Sequence, residues 1–113
     1  MPLKRNPLNL NPLQLKTLTL LQEFARLSEY SRPGEEAGSI VVRTPEAHGD
    51  HFHLGDAVVA TRDASGLRNP AVWIALERRG LIRSMFPNAA FLTPLGLGYE
   101  TGLRETILRK SSH

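Results

Sequence analysis

The sequence contains no cysteine, and it has a single tryptophan among its 113 residues. The absence of cysteine excludes disulfides, thiolate zinc sites and cysteine nucleophiles. A small domain without disulfides depends on packing for its stability, which fits a reducing compartment such as the cytoplasm. No apolar run reaches the length of about 18 residues that a membrane-spanning helix needs. We therefore expect a cytoplasmic protein without a membrane partner.

Signatures of common enzyme classes are also missing. The sequence has no G-x-S-x-G, no phosphate-binding P-loop and no H-E-x-x-H. The glycine-rich stretch 96–102 follows a Thr-Pro helix start rather than a strand, so it does not match a phosphate-binding turn. We predict that the protein is not an enzyme and carries no cofactor. A hydrolase using His51 or His53 with Asp50 is the remaining enzymatic alternative, although neighbours in sequence do not supply a pocket by themselves.

The composition is that of one folded domain spanning residues 1–113. Apolar residues make up 41% and charged residues 22%, and the net charge is +3. The charge is unevenly distributed, because residues 23–56 carry three arginines against seven acidic groups, whereas residues 57–113 carry eight basic groups against four acidic ones. A polyanion would therefore prefer the C-terminal half. Ordinary surface charge explains the same imbalance equally well.

Three cap-and-proline pairs mark the starts of the predicted helices, because Asn and Thr cap exposed amides and Pro suits the first helical position. They are Asn11-Pro12, Asn69-Pro70 and Thr93-Pro94, and they predict helices over 12–28, 70–79 and 94–109. Gly80 is the expected left-handed stop of the second helix. In the first helix, Leu15 and Leu18 lie beyond the main apolar stripe and would permit a helix-helix contact in a dimer.

Strands are predicted where β-branched and apolar residues alternate or form short runs. These segments are 40–42, 51–54, 81–86 and 90–92. Residues 57–64 fit either a helix capped by Asp56 or a strand, and we favour the helix. The first ten residues predict an extended N-terminal arm, and residues 110–113 predict a flexible tail.

Three histidines within six residues, in the stretch "HGDHFHLGD" at 48–56, suggest a metal site. His48, His51 and His53 with Asp50 are the candidate ligands. Strand alternation gives a simpler explanation, since it places His51 and His53 together on one solvent-facing side. We therefore predict no metal site.

The element order, with "ALERRGLIRS" at 75–84 and "FLTPLG" at 91–96, resembles the winged helix-turn-helix family of bacterial regulators, including the MarR and PadR types. In that family such segments lead from the recognition helix into the first wing strand and from the second wing strand into the last helix. The resemblance implies an α+β, winged helix-turn-helix fold of three to four helices with a small antiparallel sheet.

The resemblance also implies duplex DNA as the partner, a role in transcription and binding as a homodimer. The recognition helix would enter the major groove while the wing contacts the backbone. Most of the affinity would come from arginines, and Asn69 would make the remaining base contact. The residues expected at DNA are Arg68, Asn69, Arg78, Arg79, Arg83 and Asn88.

The outward positions of the predicted recognition helix are mostly apolar, which also suits a winged helix that docks a protein partner instead of reading DNA. Ala71, Ile74 and Trp73 are the candidate interface residues for this alternative. Trp is enriched at binding hot spots, but a core position at the seam between helices accounts for Trp73 as well.

Overall fold

Five helices and two antiparallel sheets make up the residues that the computed structural model describes, which are 6–44, 51–55 and 57–110. The helices are α1 (Pro12–Arg26), a 3₁₀ helix (Thr61–Arg68), α2 (Pro70–Arg78), α3 (Pro94–Gly98) and α4 (Arg104–Ile107). The strands are β1 (Ser31–Pro33), β2 (Ile40–Arg43), β3 (His51–Leu54), β4 (Ala57–Ala60), β5 (Ile82–Met85), β6 (Ala89–Leu92) and β7 (Arg109–Lys110). The predicted α+β class is confirmed.

Helix α1 begins at the predicted Asn-Pro pair. The Asn11 side chain accepts a hydrogen bond of 2.8 Å from the backbone N–H of Gln14, and the Gln14 side chain accepts one of 2.9 Å from the N–H of Asn11. This reciprocal capping satisfies two amide groups that a helix start leaves without partners. Leu18 is fully buried and Leu15 packs against the core. These two leucines therefore stabilise the monomer and do not form a helix-helix surface for a dimer.

The segment before α1 differs from the predicted extended arm over residues 6–10. The Asn6 side chain hydrogen-bonds both the N–H and the carbonyl of Leu10, closing a turn in which Asn9 has φ of 55°. The hydroxyl of Tyr99 donates to the Asn6 side chain and accepts from the N–H of Leu8. Leu10 is buried as a result. Burial of this leucine outweighs the extended preference of the proline-containing sequence, and residues 1–5 lie outside the described part.

The larger sheet has the strand order β1-β2-β6-β5 and packs one face against the core. Ile82 and Leu92 are partners across β5 and β6, and Ala90 and Val42 are partners across β6 and β2. All four side chains are buried in the core with the leucines of α1. Successive strand residues point to opposite faces, so the intervening residues lie on the other face of this sheet.

The smaller sheet has the order β3-β4-β7, and it corrects the helix favoured over residues 57–64. Residues 57–60 form a strand, and the helix begins only at Thr61, with 3₁₀ geometry. Val58 pairs with His53 and Val59 is fully buried. The β-branched residues follow their strand preference because a partner strand is available. The expected cap, Asp56, lies outside the described residues.

Helix α2 and the following hairpin match the sequence-based expectation. The Asn69 side chain caps α2 by accepting from the N–H of Ala71 at 3.0 Å. Gly80 has φ of 75°, and the N–H of Leu81 donates to the carbonyl of Leu76. These contacts form the predicted left-handed helix end. Strands β5 and β6 then pair directly around the turn at 86–88.

The single helix predicted over 94–109 is wrong. Thr93 caps α3 as expected, accepting from the N–H of Gly96 at 3.0 Å, but the chain leaves the helix after Gly98. A second short helix, α4, forms only at Arg104. Three glycines in seven residues lower the helix propensity, and Gly102 has φ of 73°, which a helix cannot accommodate.

The end of the described chain also differs from the expected tail, because Lys110 pairs with Ala57 in the smaller sheet. Residues 111–113 of the predicted tail lie outside the described part. None of the helices in the described residues combines the length and the apolar character needed to cross a membrane.

Candidate nucleic-acid interface

Helix α2 separates a buried side from a solvent-facing side. Val72, Trp73 and Leu76 point into the core. Ala71 faces solvent, and Ile74 is 48% exposed in the middle of the helix. This arrangement is the outward-facing helix that the nucleic-acid and docking hypotheses both require. We call the exposed set Arg68, Ala71, Ile74, Arg78 and Arg79 the α2 surface.

Trp73 lies under this surface and does not contribute to it. The side chain is completely buried, and its indole N–H donates to the carbonyl of Gly66 at 3.2 Å. Its ring meets the Phe86 ring edge-on, with centroids 5.2 Å apart. The tryptophan thereby fixes α2 against both the 3₁₀ helix and the hairpin turn. Its position supports the core interpretation and excludes direct contact with a partner in this conformation.

The two ends of α2 carry the polar groups of the surface. Arg68 is exposed just before the helix, and Arg78 and Arg79 are exposed at its end. The Asn69 oxygen is occupied in capping, so its side-chain amide N–H groups are what it could offer to a base. Basic groups therefore flank an apolar middle formed by Ala71 and Ile74.

Arg83 points away from the α2 surface. Its guanidinium lies 5.7 Å from the ring centroid of Phe91 and forms an ion pair of 3.2 Å with Glu36 in the loop between β1 and β2. Strand β5 packs against α2 at one edge of the sheet, and Glu36 follows β1 at the other edge, so the Arg83 side chain runs across the sheet. The predicted DNA-contacting set is thus divided between two surfaces.

Asn88 is exposed at the hairpin turn, where the backbone is held at two points. The N–H of Asn88 donates to the carbonyl of Met85, and its own carbonyl accepts from the N–H of Thr44 at 3.2 Å. The Thr44 hydroxyl donates to the carbonyl of Pro87 at 3.0 Å. The predicted wing is therefore short and tied to the end of β2.

The histidines of β3 behave as strand alternation predicts. His51 and His53 are both exposed on one side of the strand, with ring centroids 5.3 Å apart. Within residues 6–44, 51–55 and 57–110, no group of three potential metal ligands comes together. His48 and Asp50, the other two candidates, lie outside the described part of the chain.

One buried carboxylate in the described chain has cationic partners. Glu23 on α1 accepts hydrogen bonds from two nitrogens of Arg104, the second at 3.3 Å, and lies 3.5 Å from Arg26. The hydrogen bond to Glu23 raises the pKa of Arg104 above its ordinary value, and the negative charge of the same carboxylate adds to the effect. The paired carboxylate joins α1 to α4, which is a structural role.

Three residues that the sequence analysis did not select share a surface with Arg83. Arg32, Arg43 and Phe91 lie on the side of the larger sheet that faces away from the core. The signal was present in the alternation of "IVVR" at 40–43 and "AAFL" at 89–92. It could be used only once the pairing of the two strands was known, because strand order is not local information.

Comparisons with known proteins do not assign the chain to a family. No family model matches the sequence. Searches of curated proteins and of solved structures likewise gave no significant match.

Proposed function

We propose that this protein is a small winged-helix protein that binds duplex DNA through the α2 surface, with a role in transcription. The order of elements supports the assignment: α1, then β2, then the 3₁₀ helix and α2, then the hairpin of β5 and β6. Strand β6 lies between β5 and β2 in an antiparallel sheet, and the resemblance implies a small antiparallel sheet in that fold. The β3-β4-β7 sheet and strand β1 are additions to it.

The observation that carries the proposal is the exposure of α2 with arginines at both ends. Nine helical residues span about 13 Å, and the major groove is about 12 Å wide. A helix of this length across the groove would place Arg68 near one phosphate strand and Arg78 and Arg79 near the other. Phosphate contacts position a protein on DNA without reading sequence.

The apolar middle of the surface limits base recognition. Ala71 and Ile74 offer no hydrogen bonds, but apolar side chains contact the methyl group of thymine. The side-chain amide of Asn69 adds donors near the start of the helix. We therefore propose binding dominated by phosphates, with a modest preference for sites that contain A·T pairs.

Fluorescence anisotropy with labelled duplexes of about 20 base pairs tests this proposal. Arg78→Ala should weaken binding, because it removes a phosphate contact. Arg26→Ala is the matched control, since it removes another exposed arginine, on α1, and should leave binding within about twofold of wild type. Equal weakening by both substitutions would mean that general positive charge, and not the α2 surface, binds DNA.

A second candidate function, docking of a protein partner, is favoured by Ile74, which is 48% exposed in the apolar middle of the α2 surface. Ile74→Lys separates the two functions. The added cation should strengthen DNA binding slightly, whereas a charge at the centre of an apolar interface should abolish docking. No measurable DNA binding by wild type or by this variant, with both folded by circular dichroism, would favour docking over DNA.

A further inference from the structure

The larger sheet has a second face that does not contribute to the hydrophobic core. Arg32, Val41, Phe91 and Arg83 are consecutive cross-strand partners from β1 to β5, so their side chains point to the same side. Arg43 and Met85 extend the same face two residues further along their strands. We call these six residues the outer sheet face.

The apolar residues at the centre of this face are separate from the hydrophobic core. Val41 is only 6% exposed, and Phe91 is half-buried, yet neither belongs to the hydrophobic core cluster nor packs against it. The Arg83 guanidinium lies 5.7 Å from the centroid of the Phe91 ring and covers part of that ring. A ligand that binds the Arg83 guanidinium can draw it away from the ring and expose the ring face.

The charge of the face is predominantly positive. Arg32 and Arg83 stand on either side of the Val41 and Phe91 pair. Arg43 donates from one nitrogen to the carbonyl of Glu29 at 2.7 Å, which orients the group without neutralising it. The ion pair of Arg83 with Glu36 joins two exposed side chains, and such pairs contribute little to stability. An anionic ligand can therefore displace Glu36 readily.

We propose that the outer sheet face binds single-stranded nucleic acid, with Phe91 as a stacking platform for a base and Arg32, Arg43 and Arg83 as phosphate contacts. A partly exposed ring on a sheet face beside basic groups suits unpaired bases, whose ring faces are accessible. Duplex DNA does not offer such faces, because its bases are stacked on one another. An acidic polypeptide would satisfy the arginines but would leave the ring without a stacking partner.

This inference is independent of the duplex-binding surface, because the two surfaces share no residue. Anisotropy of labelled 12-nucleotide oligo-dT and oligo-U, measured on the full chain over a salt series, tests it. Three neutralised phosphates predict a slope of about −2 in log K against log salt. Phe91→Leu keeps an apolar side chain and removes the ring, so we expect it to weaken single-strand binding about fivefold or more.

Two further variants provide the controls. Arg32→Gln should weaken single-strand binding and reduce the magnitude of the slope, without disturbing the ring or the core. Arg78→Gln on α2 should leave single-strand binding unchanged while weakening duplex binding, so the failure of one surface is distinguishable from failure of the other. Circular dichroism verifies that each variant is folded.

Three outcomes would overturn the proposal. One is single-strand binding by folded Phe91→Leu and Arg32→Gln that equals wild type. Another is displacement of the labelled strand by polyglutamate as effectively as by unlabelled oligo-dT, which would assign the face to acidic polypeptides. The third is loss of single-strand binding in Arg78→Gln, which would place all nucleic-acid contacts on α2.

Discussion

The carboxylate of Glu77 on α2 accepts a hydrogen bond of 3.0 Å from the backbone N–H of Ser84 on β5. Strand β5 lies at the edge of its sheet, so this amide lacks a second strand as a partner. The contact gives the Ser84 N–H a hydrogen-bond partner and holds the end of α2 beside the hairpin. The position of the proposed DNA-binding helix relative to the hairpin therefore depends partly on this one carboxylate.

Glu77→Ala should lower the free energy of unfolding by about 1 kcal/mol, because an exposed hydrogen bond to a charged group contributes in that range. Urea denaturation followed by circular dichroism measures the change. Glu35→Ala removes the same charge from an exposed loop position and should stay within about 0.5 kcal/mol of wild type. A loss in Glu77→Ala no greater than in Glu35→Ala would show that the contact with Ser84 is dispensable.

Gly96 and Gly98 form a matched pair within α3. A Cβ at Gly96 would overlap the backbone carbonyl of Leu81, whereas a Cβ at Gly98 would meet no atom within 4 Å. Gly96→Ala should therefore destabilise the protein by about 2 kcal/mol or more, since backbone must move. Gly98→Ala should be neutral or slightly stabilising because alanine favours the helix. Thermal unfolding of both variants checks this, and equal melting temperatures would contradict the close approach.

Trp73 is the protein's one tryptophan, so its fluorescence reports the core directly. Complete burial predicts a blue-shifted emission maximum that moves to longer wavelength on unfolding, together with weak quenching by acrylamide in the native state. Trp73→Phe should cost about 1–3 kcal/mol, because the carbonyl of Gly66 loses its indole donor and the smaller ring leaves space. Strong acrylamide quenching of the folded protein would mean that Trp73 is on the surface.

The two arginines around Glu23 should contribute unequally. Arg104→Met removes both hydrogen bonds and leaves a largely buried carboxylate short of partners, so we expect a loss of about 1–2 kcal/mol in unfolding free energy. Arg26→Met removes a longer contact from an exposed side chain and should cost about 0.5 kcal/mol or less. Urea denaturation of the two variants would count against this account if Arg26→Met proved the more damaging.

The same ion pair should not respond to pH near neutrality. Because the pKa of Arg104 is raised in the folded protein, its stabilising contribution is present at every pH below its unfolded value and declines only in strong alkali. Between about pH 6 and pH 9, the difference in unfolding free energy between wild type and Arg104→Met should stay constant. A difference that disappears on moderate alkalinisation would mean that another group controls this site.

Local chemistry explains which parts of the fold could be predicted from the sequence. The capped starts at Asn11, Asn69 and Thr93 and the glycine stop at Gly80 depend on neighbouring residues, and the structure contains all four. The predictions were wrong where contacts with residues distant in the sequence determine the local structure. Residues 57–60 are a strand because β3 and β7 pair with them. Residues 6–10 close a turn because the Tyr99 hydroxyl forms hydrogen bonds with Asn6 and Leu8.

The candidate site was predictable to the same limited degree. Exposure of Ile74 and burial of Val72 and Leu76 follow from helical periodicity, which the sequence displays. The direction of the Arg83 side chain does not follow from periodicity. It depends on contacts with Phe91 and Glu36, which lie far from each other in the sequence and become neighbours only through strand pairing. For the same reason the outer sheet face could not be recognised before the strand pairing was known.

The central claim, that arginines of the α2 surface bind duplex DNA, is tested most directly by the salt dependence of duplex affinity for wild type, Arg78→Ala and Arg26→Ala. Contacts from Arg68, Arg78 and Arg79 predict a wild-type slope of log K against log salt with a magnitude of about 2.7. That magnitude should fall by about 1 in Arg78→Ala and stay unchanged in Arg26→Ala. A wild-type slope near zero, or the same slope in Arg78→Ala as in wild type, would contradict the account.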